Sequence, residues 1–199
     1  MQQKKTLGAI YAQGLVEGRA TKAGLAKALN LDSDELAGRL AALRKRGLIS
    51  IAGERVRLTE KGRKSIKVVF IGGGFEVIHS GHLHTVGEAK RLGDVLVVVV
   101  ARDDTIRRRK GREPVSSESE RVDLLAALRQ VDAAILGGTG DIYEALEKVK
   151  PDVVALGYDQ YHNVGDVGKE AERRGLKLSV VRLGSPRPSI KTTKILQET

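Results

Sequence analysis

Lys67-Val-Val-Phe-Ile-Gly-Gly-Gly-Phe-Glu-Val-Ile-His-Ser-Gly-His82 joins a continuous apolar run to three glycines and then to the first turn of a helix. The run is apolar at successive positions, so the strand it forms must be covered on both faces, as in a parallel sheet. The glycines let the backbone turn tightly and approach a ligand closely. A helix beginning near Ser80 aims its unpaired N–H groups at the same place, which favours an anion. His79 and His82 are three residues apart, so at a helix start both rings fall on one face and can address one phosphate. Neither familiar phosphate loop fits. The spacing is not G-x-x-x-x-G-K-[ST], nor G-x-G-x-x-G leading into a helix.

Outward from this stretch, similar β-rich runs recur at 94–101, 133–136, 152–156 and 176–181. Helical patterns lie between them at 80–92, 117–129, 141–149 and 165–174. Such alternation predicts an α/β fold over residues 67–199, a Rossmann-like doubly wound parallel sheet covered by helices on both sides. Ligands of such sheets sit beyond the carboxyl ends of the strands, so site residues should follow strands.

Residues 1–66 follow a different plan. Leu7, Ile10, Tyr11, Leu15 and Val16 fall at helical spacing, Thr21 can cap a second helix, and Asp32 or Ser33 a third that carries Leu36, Leu40 and Leu43. Ile49, Ile51, Val56 and Leu58 then alternate around Ala52-Gly-Glu54, which reads as a hairpin. The polar stretch Lys61-Gly-Arg-Lys-Ser65 makes a natural seam. Charge is divided unevenly along the chain. These 66 residues hold 14 Lys/Arg against 6 Asp/Glu, a net +8 of the +10 total. That asymmetry points to a polyanion-facing module, with a merely solvated basic surface as the alternative. Arg44-Lys-Arg-Gly-Leu-Ile and Arg55-Val-Arg-Leu-Thr-Glu-Lys-Gly-Arg63 resemble winged helix-turn-helix regulators. The resemblance implies DNA contacts at Arg39, Arg44, Lys45, Arg46, Arg55 and Arg57. Winged helices also serve as docking modules, and they commonly form homodimers.

The chain has no cysteine, which excludes disulfides and thiolate metal sites. It shows no apolar run of membrane-spanning length and no signal-peptide core, so no membrane partner is expected and a cytoplasmic location is. Aromatics make up 3% of the residues, so the core must be built from Val, Leu, Ile and Ala. A metal shared by His79, His82 and His84 is disfavoured, because His84 lies on another helix face. No protein-held metal is expected.

Gly73-Gly-Phe-Glu-Val-Ile-His-Ser-Gly-His82 resembles the G-T-F-D-x-x-H-x-G-H signature of the cytidylyltransferase-like nucleotidyltransferases. The resemblance covers about residues 67–195 and implies transfer of a nucleoside monophosphate from ATP or CTP to a phosphorylated acceptor, with Mg²⁺ accompanying the nucleotide. It gives His79 and His82 catalytic roles on the phosphates, and Lys110 the neutralisation of the leaving groups. Gly73, Gly74, Phe75 and Gly81 would contact the nucleotide. Gly157 and Asp159, in Ala155-Leu-Gly-Tyr-Asp-Gln160, match a G-x-D element that serves base and ribose. Thr192 and Thr193, in Ser189-Ile-Lys-Thr-Thr-Lys-Ile195, match a degenerate phosphate-binding helix start. Glu76, Arg112 and Arg121 would face the substrate, with loop anchoring the other usual task at the Arg121 position. Gly74 stands where the family has Thr, and Glu76 where it has Asp. Val99-Val-Ala-Arg-Asp-Asp-Thr105, Lys110-Gly-Arg-Glu-Pro114 and the Gly157 element look most like the archaeal branch that makes FAD from FMN and ATP. That branch often ends in a cysteine-containing segment, which this chain lacks. CTP-dependent transfer of the glycerol-phosphate type, and a non-catalytic nucleotide- or flavin-sensing regulator, are the alternatives.

Overall fold

The computed structural model describes residues 2–185, so the expected phosphate-binding residues Thr192 and Thr193, with the whole 189–195 motif, lie outside the described residues. The chain divides into two compact units, Met1–Lys67 and Val68–Thr199.

The first unit contains α1 (Gln2–Glu17), β1 (Ala20–Thr21), α2 (Lys22–Leu29), α3 (Ser33–Lys45), β2 (Ile49–Ala52), β3 (Arg55–Leu58) and α4 (Glu60–Lys64). Thr21 and Asp32 cap α2 and α3, each accepting a backbone N–H of the first turn. Leu7, Ile10, Leu25, Leu36, Leu40, Leu43, Leu48 and Val56 form the buried core. The strands make an antiparallel sheet in the order β1-β3-β2, with Gly53 at φ 60° in the β2–β3 turn. The stretch read as a seam is instead α4. The Thr59 hydroxyl donates to the Gly47 carbonyl at 2.7 Å and accepts from Gly62 N, fixing the helix start. A Cβ at Gly62 would meet the Leu48 carbonyl oxygen at 1.9 Å. The spacing Gly47-Leu48-Ile49 … Thr59-x-x-Gly62 is therefore a packing requirement. Among the basic residues singled out, Arg44, Lys45, Arg46, Arg55 and Arg57 are exposed. Arg39 is half-buried and paired with Glu35 at 2.6 Å, and Arg46 also bonds Gln3.

The second unit runs β4 (Val68–Gly73), α5 (Ser80–Arg91), β5 (Val95–Val100), α6 (Asp103–Lys110), α7 (Glu118–Ala126), β6 (Ala133–Leu136), α8 (Ile142–Val149), β7 (Val153–Leu156), α9 (Val164–Arg173) and β8 (Ser179–Arg182). All five strands are parallel, in the order β6-β5-β4-β7-β8. The consecutive apolar residues of β4 and β5 are buried on both faces, as in covered parallel sheets. Asp152 and Asp132 set two strand starts, their carboxylates accepting from Val68 N at 2.7 Å and Leu96 N at 2.6 Å. The chain winds outward from β4 through β5 to β6 and then returns to β7 on the far side of β4. Connections on the two sides of β4 therefore diverge, opening a crevice beyond its carboxyl end. The basic stretch after β5, which lies outside the helical patterns expected from the sequence, is the helix α6. Its acidic first turn (Asp103, Asp104) and basic last turn (Arg107–Lys110) match the helix dipole, and Gly111 at φ 65° ends it.

Candidate functional site

A cavity of about 410 Å³ opens at this crevice. Its floor is Gly72–Phe75 at the end of β4, with His79, Gly81 and His82 beside it. One wall comes from Arg102, Ile106, Arg109 and Lys110 of the α6 region and from Gly137, Gly138, Gly140 and Asp141 after β6. Residues 157–162 after β7 form the other. The structure thus gathers Gly73, Gly74, Phe75, His79, Gly81, His82, Lys110, Gly157 and Asp159 around one space.

The two imidazoles lie 4.0 Å apart between ring centroids, and Phe75 supports His82 at 5.3 Å. Phe75 adopts φ 52°, a left-handed conformation unusual for a bulky residue. That turn directs Glu76 inward. His79 is the N-cap of α5, and its Nδ1 accepts the Gly81 N–H at 3.2 Å. An accepting Nδ1 carries no proton, so a neutral His79 holds its proton on Nε2 and presents a donor there. Burial lowers the His79 pKa, with the Asp159 charge opposing. Burial, reinforced by the charge of His79, pushes the His82 pKa down to about 4. The buried His82 Nδ1 has no hydrogen-bond partner of good geometry, although the Val77 backbone is close enough to favour the protonated ring. Two neutral imidazoles beside a glycine floor can donate to phosphate oxygens and gain charge as an anion arrives.

The depressed His82 value has a consequence for stability. Between pH 6.5 and about 4 the unfolded chain binds a proton that the folded chain refuses, so folding stability falls as pH drops through this window. The loss is at most about 3 kcal/mol at 1.36 kcal/mol per pH unit, less what residual solvent around the ring screens. Urea midpoints at pH 4.5 and 7 should therefore differ more for the native chain than for His82→Gln. Equal differences would remove His82 as the cause.

Glu76 and Arg112 lie off the cavity wall, contrary to expectation, and of the two tasks expected at Arg121 the structure gives it the anchoring one. Arg121 is fully buried and its guanidinium is committed: Nε donates to the Ser116 carbonyl, Nη1 to the Gly74 and Ala101 carbonyls at 2.6 and 2.7 Å, and Nη2 to Asp103. It anchors the ends of β4 and β5 and does not line the cavity. The Glu76 side chain is likewise fully buried, and it receives Lys110 and both terminal nitrogens of Arg112. Burial alone would raise its pKa, but hydrogen bonds and charges from Arg112 and Lys110 outweigh that and hold it below the ordinary range. Arg112 bonds Glu76 and the Glu113 carbonyl, off the cavity wall. Glutamate, one methylene longer than the family's aspartate, spans both cations.

Several residues that line or brace the wall go beyond the sequence expectations. Gln160 donates to the Gly72 carbonyl and accepts from Gly157 N at 3.2 Å, tying the loop after β7 to the floor. Arg182 holds the Gly157 and Gln160 carbonyls at 2.8 and 2.9 Å. The run Gly137-Gly-Thr-Gly-Asp141 carries the same signal as the first glycine run, glycines directly after a buried strand, and could have been found that way. Arg109 and Tyr161 were hidden in a basic run and a polar loop. Asp141 and Asp159 are the carboxylates on the wall, and no cluster of three His, Cys, Asp or Glu residues able to hold a metal occurs among the described residues. No helix among the described residues is long and apolar enough to cross a membrane.

Comparison with known proteins adds to this geometry. A model of the cytidylyltransferase-like family matches residues 70–198. The chain is similar to the FAD synthase of Thermococcus kodakarensis, 41% identical over 141 residues that span 69% of this chain and 94% of that protein. It is 40% identical to the FAD synthase of Pyrococcus horikoshii over 137 residues, 67% of this chain and 92% of that protein. Among solved structures, a lipopolysaccharide core biosynthesis protein from Thermoplasma volcanium is similar with a TM-score of 0.58 and 40% identity, over 60% of this chain and 98% of that one.

Proposed function

Because this chain belongs to the cytidylyltransferase-like family, and matches FAD synthases over nearly their whole length, we propose that it transfers AMP from ATP to FMN. It is a nucleotidyltransferase. A phosphate oxygen of FMN attacks the α-phosphorus of ATP, the bond from that phosphorus to the β-bridging oxygen breaks, and FAD and pyrophosphate result. The FMN phosphate is already ionised at neutral pH, so no strong base is required, and catalysis is positioning plus charge stabilisation. His79 and His82 donate to the α- and β-phosphate oxygens as negative charge accumulates. Lys110 leaves its pairing with Glu76 to meet the β- and γ-phosphates, and Mg²⁺ enters with the triphosphate. Gly73, Gly74, Phe75 and Gly81 let the nucleotide approach the floor, and Gly157 and Asp159 serve its base and ribose. The setting is the cytoplasm.

The observation that carries this reading is the imidazole pair, 4.0 Å apart on the glycine floor at the central strand's end. The FAD synthase relatives speak against both the CTP-dependent reading and the regulator without turnover. Pyrophosphate release measured with ATP and with CTP, each against FMN, glycerol phosphate and phosphopantetheine, decides the matter. Release should require ATP and FMN together and be accompanied by FAD. Turnover with CTP and glycerol phosphate instead, or none with any pair, sinks the assignment.

The first unit supports a second proposal, that it is a winged helix binding DNA, with α3 and the β2–β3 wing as the contact elements. Its +8 charge and the exposed Arg44, Lys45, Arg46, Arg55 and Arg57 favour this, with Arg39 contributing if it releases Glu35. A homodimer would present two such helices to one two-fold site. DNA affinity of the full chain should fall steeply with salt, log K dropping about 0.9 per decade of salt for each phosphate neutralised. A flat salt response, or no binding, would leave the unit as a docking module.

A further inference from the structure

We propose that Tyr161 is a stacking platform for the adenine of ATP, and that it selects ATP over CTP. The inference rests on the nucleotidyltransferase reading and deepens it by naming the residue that reads the base.

The chain is poor in aromatic residues, with no Trp, two Phe and four Tyr. On the cavity wall Phe70 and Phe75 are buried in the core and Tyr158 is half-buried, while Tyr161 is 64% exposed. Two groups already show that its ring accepts planar partners. The Arg109 guanidinium lies 4.3 Å from the ring centroid, and the His162 ring lies at 3.9 Å.

The backbone beneath the ring is braced. Arg182 donates to the Gly157, Gln160 and His162 carbonyls, and Gln160 ties the same loop to the Gly72 carbonyl. The platform is thus fixed relative to the glycine floor, as a base-reading surface has to be. Tyr161 and Asp159 line the same cavity that His79 and His82 border, so a nucleotide with its phosphates at the histidines and its sugar at Asp159 has Tyr161 within the same cavity for its base. The base takes the place of Arg109, whose guanidinium is then free to turn towards the triphosphate. A two-ring purine covers more of the tyrosine than a one-ring pyrimidine, and stacking strength sets such preferences.

Steady-state kinetics with ATP, CTP and FMN, together with calorimetric binding of ATP alone, test this on the full chain and on Tyr161→Ala and Tyr161→Phe. Tyr161→Ala should raise both KM and Kd for ATP by about 5- to 150-fold, the equivalent of about 1–3 kcal/mol for a stacked base. The KM for FMN should stay put and the preference for ATP over CTP should shrink, while Tyr161→Phe behaves as the native chain. A rise in the FMN KM with ATP unaffected would place the flavin on this ring and overturn the proposal. So would ATP affinity that does not respond to the alanine. A native chain whose ATP binding depends on Tyr161 but which makes no FAD would overturn the FMN assignment and leave the platform standing.

Discussion

Replacing His79 by Ala is expected to lower kcat by about 10²- to 10³-fold, or about 2.7–4 kcal/mol, the loss seen when one preorganised donor to a developing oxyanion is removed. The structure complicates the reading of that variant, because His79 also caps α5 through Nδ1. Removing an N-cap costs about 0.5–2 kcal/mol of stability by itself. His79→Asn separates the two contributions. Asparagine is among the best N-caps, so its carboxamide oxygen can take over the Gly81 N–H, while its short amide NH2 stops well short of where the imidazole Nε2–H points. The asparagine variant should therefore melt near the native temperature and still lose two to three orders of magnitude in kcat with ATP and FMN. An asparagine variant with near-native turnover would reduce His79 to a helix cap.

Arg121 gives the second large effect, and here stability leads. One guanidinium satisfies the carbonyls of Ser116, Gly74 and Ala101 and the carboxylate of Asp103. Substitution by Met keeps most of the volume and removes every donor, leaving Asp103 and three carbonyls without theirs. Breaking a buried ion pair on one side costs about 3–5 kcal/mol. Lys should rescue little, since a single ammonium cannot reproduce a planar fork whose donors diverge towards four acceptors. Denaturant midpoints of Arg121→Met and Arg121→Lys should both lie far below the native value. Because Gly74 is floor and Ala101 adjoins the α6 wall, turnover should also fall at temperatures where the variants remain folded. A methionine variant as stable as the native chain would show that the buried network contributes little.

The contrast between these residues shows what a sequence discloses. Strands such as Val95–Val100 are legible because burial on both faces leaves an unbroken apolar run. The start of α5 is legible because glycines and a histidine cap are local signals. Helix α6 was missed for a related reason: Ile106 is its one buried residue, so it has no apolar periodicity. What declares it a helix is its acidic start, basic end and terminal glycine. In α4 the polar composition hid a helix whose glycine is required by the Leu48 carbonyl, a contact no local pattern reveals. The likeness to the family points Glu76, and Arg121 in one of its two tasks, towards substrate. The cations on Glu76 are 34 and 36 positions away along the chain and the Gly74 carbonyl is 47 from Arg121, and they become neighbours only when β4 and β5 pair. No local signal marks Tyr161, because two residues that matter to it, Arg109 and Arg182, come from opposite sides of the sheet.

The composition of β5 carries a cost during synthesis. Val-Leu-Val-Val-Val-Val has the high β-propensity, lack of charge and absence of proline and glycine that mark segments able to pair with copies of themselves. In the finished sheet both its edges are taken, by β4 and β6. On the ribosome β6 emerges some thirty residues later, so β5 leaves the exit tunnel with one edge still open. The charges that bracket it, Asp94 on one side and Arg102-Asp-Asp104 on the other, sit where gatekeepers against aggregation are placed. Those nascent-chain demands give these flanking positions a reason to stay charged that is independent of ligand or chemistry.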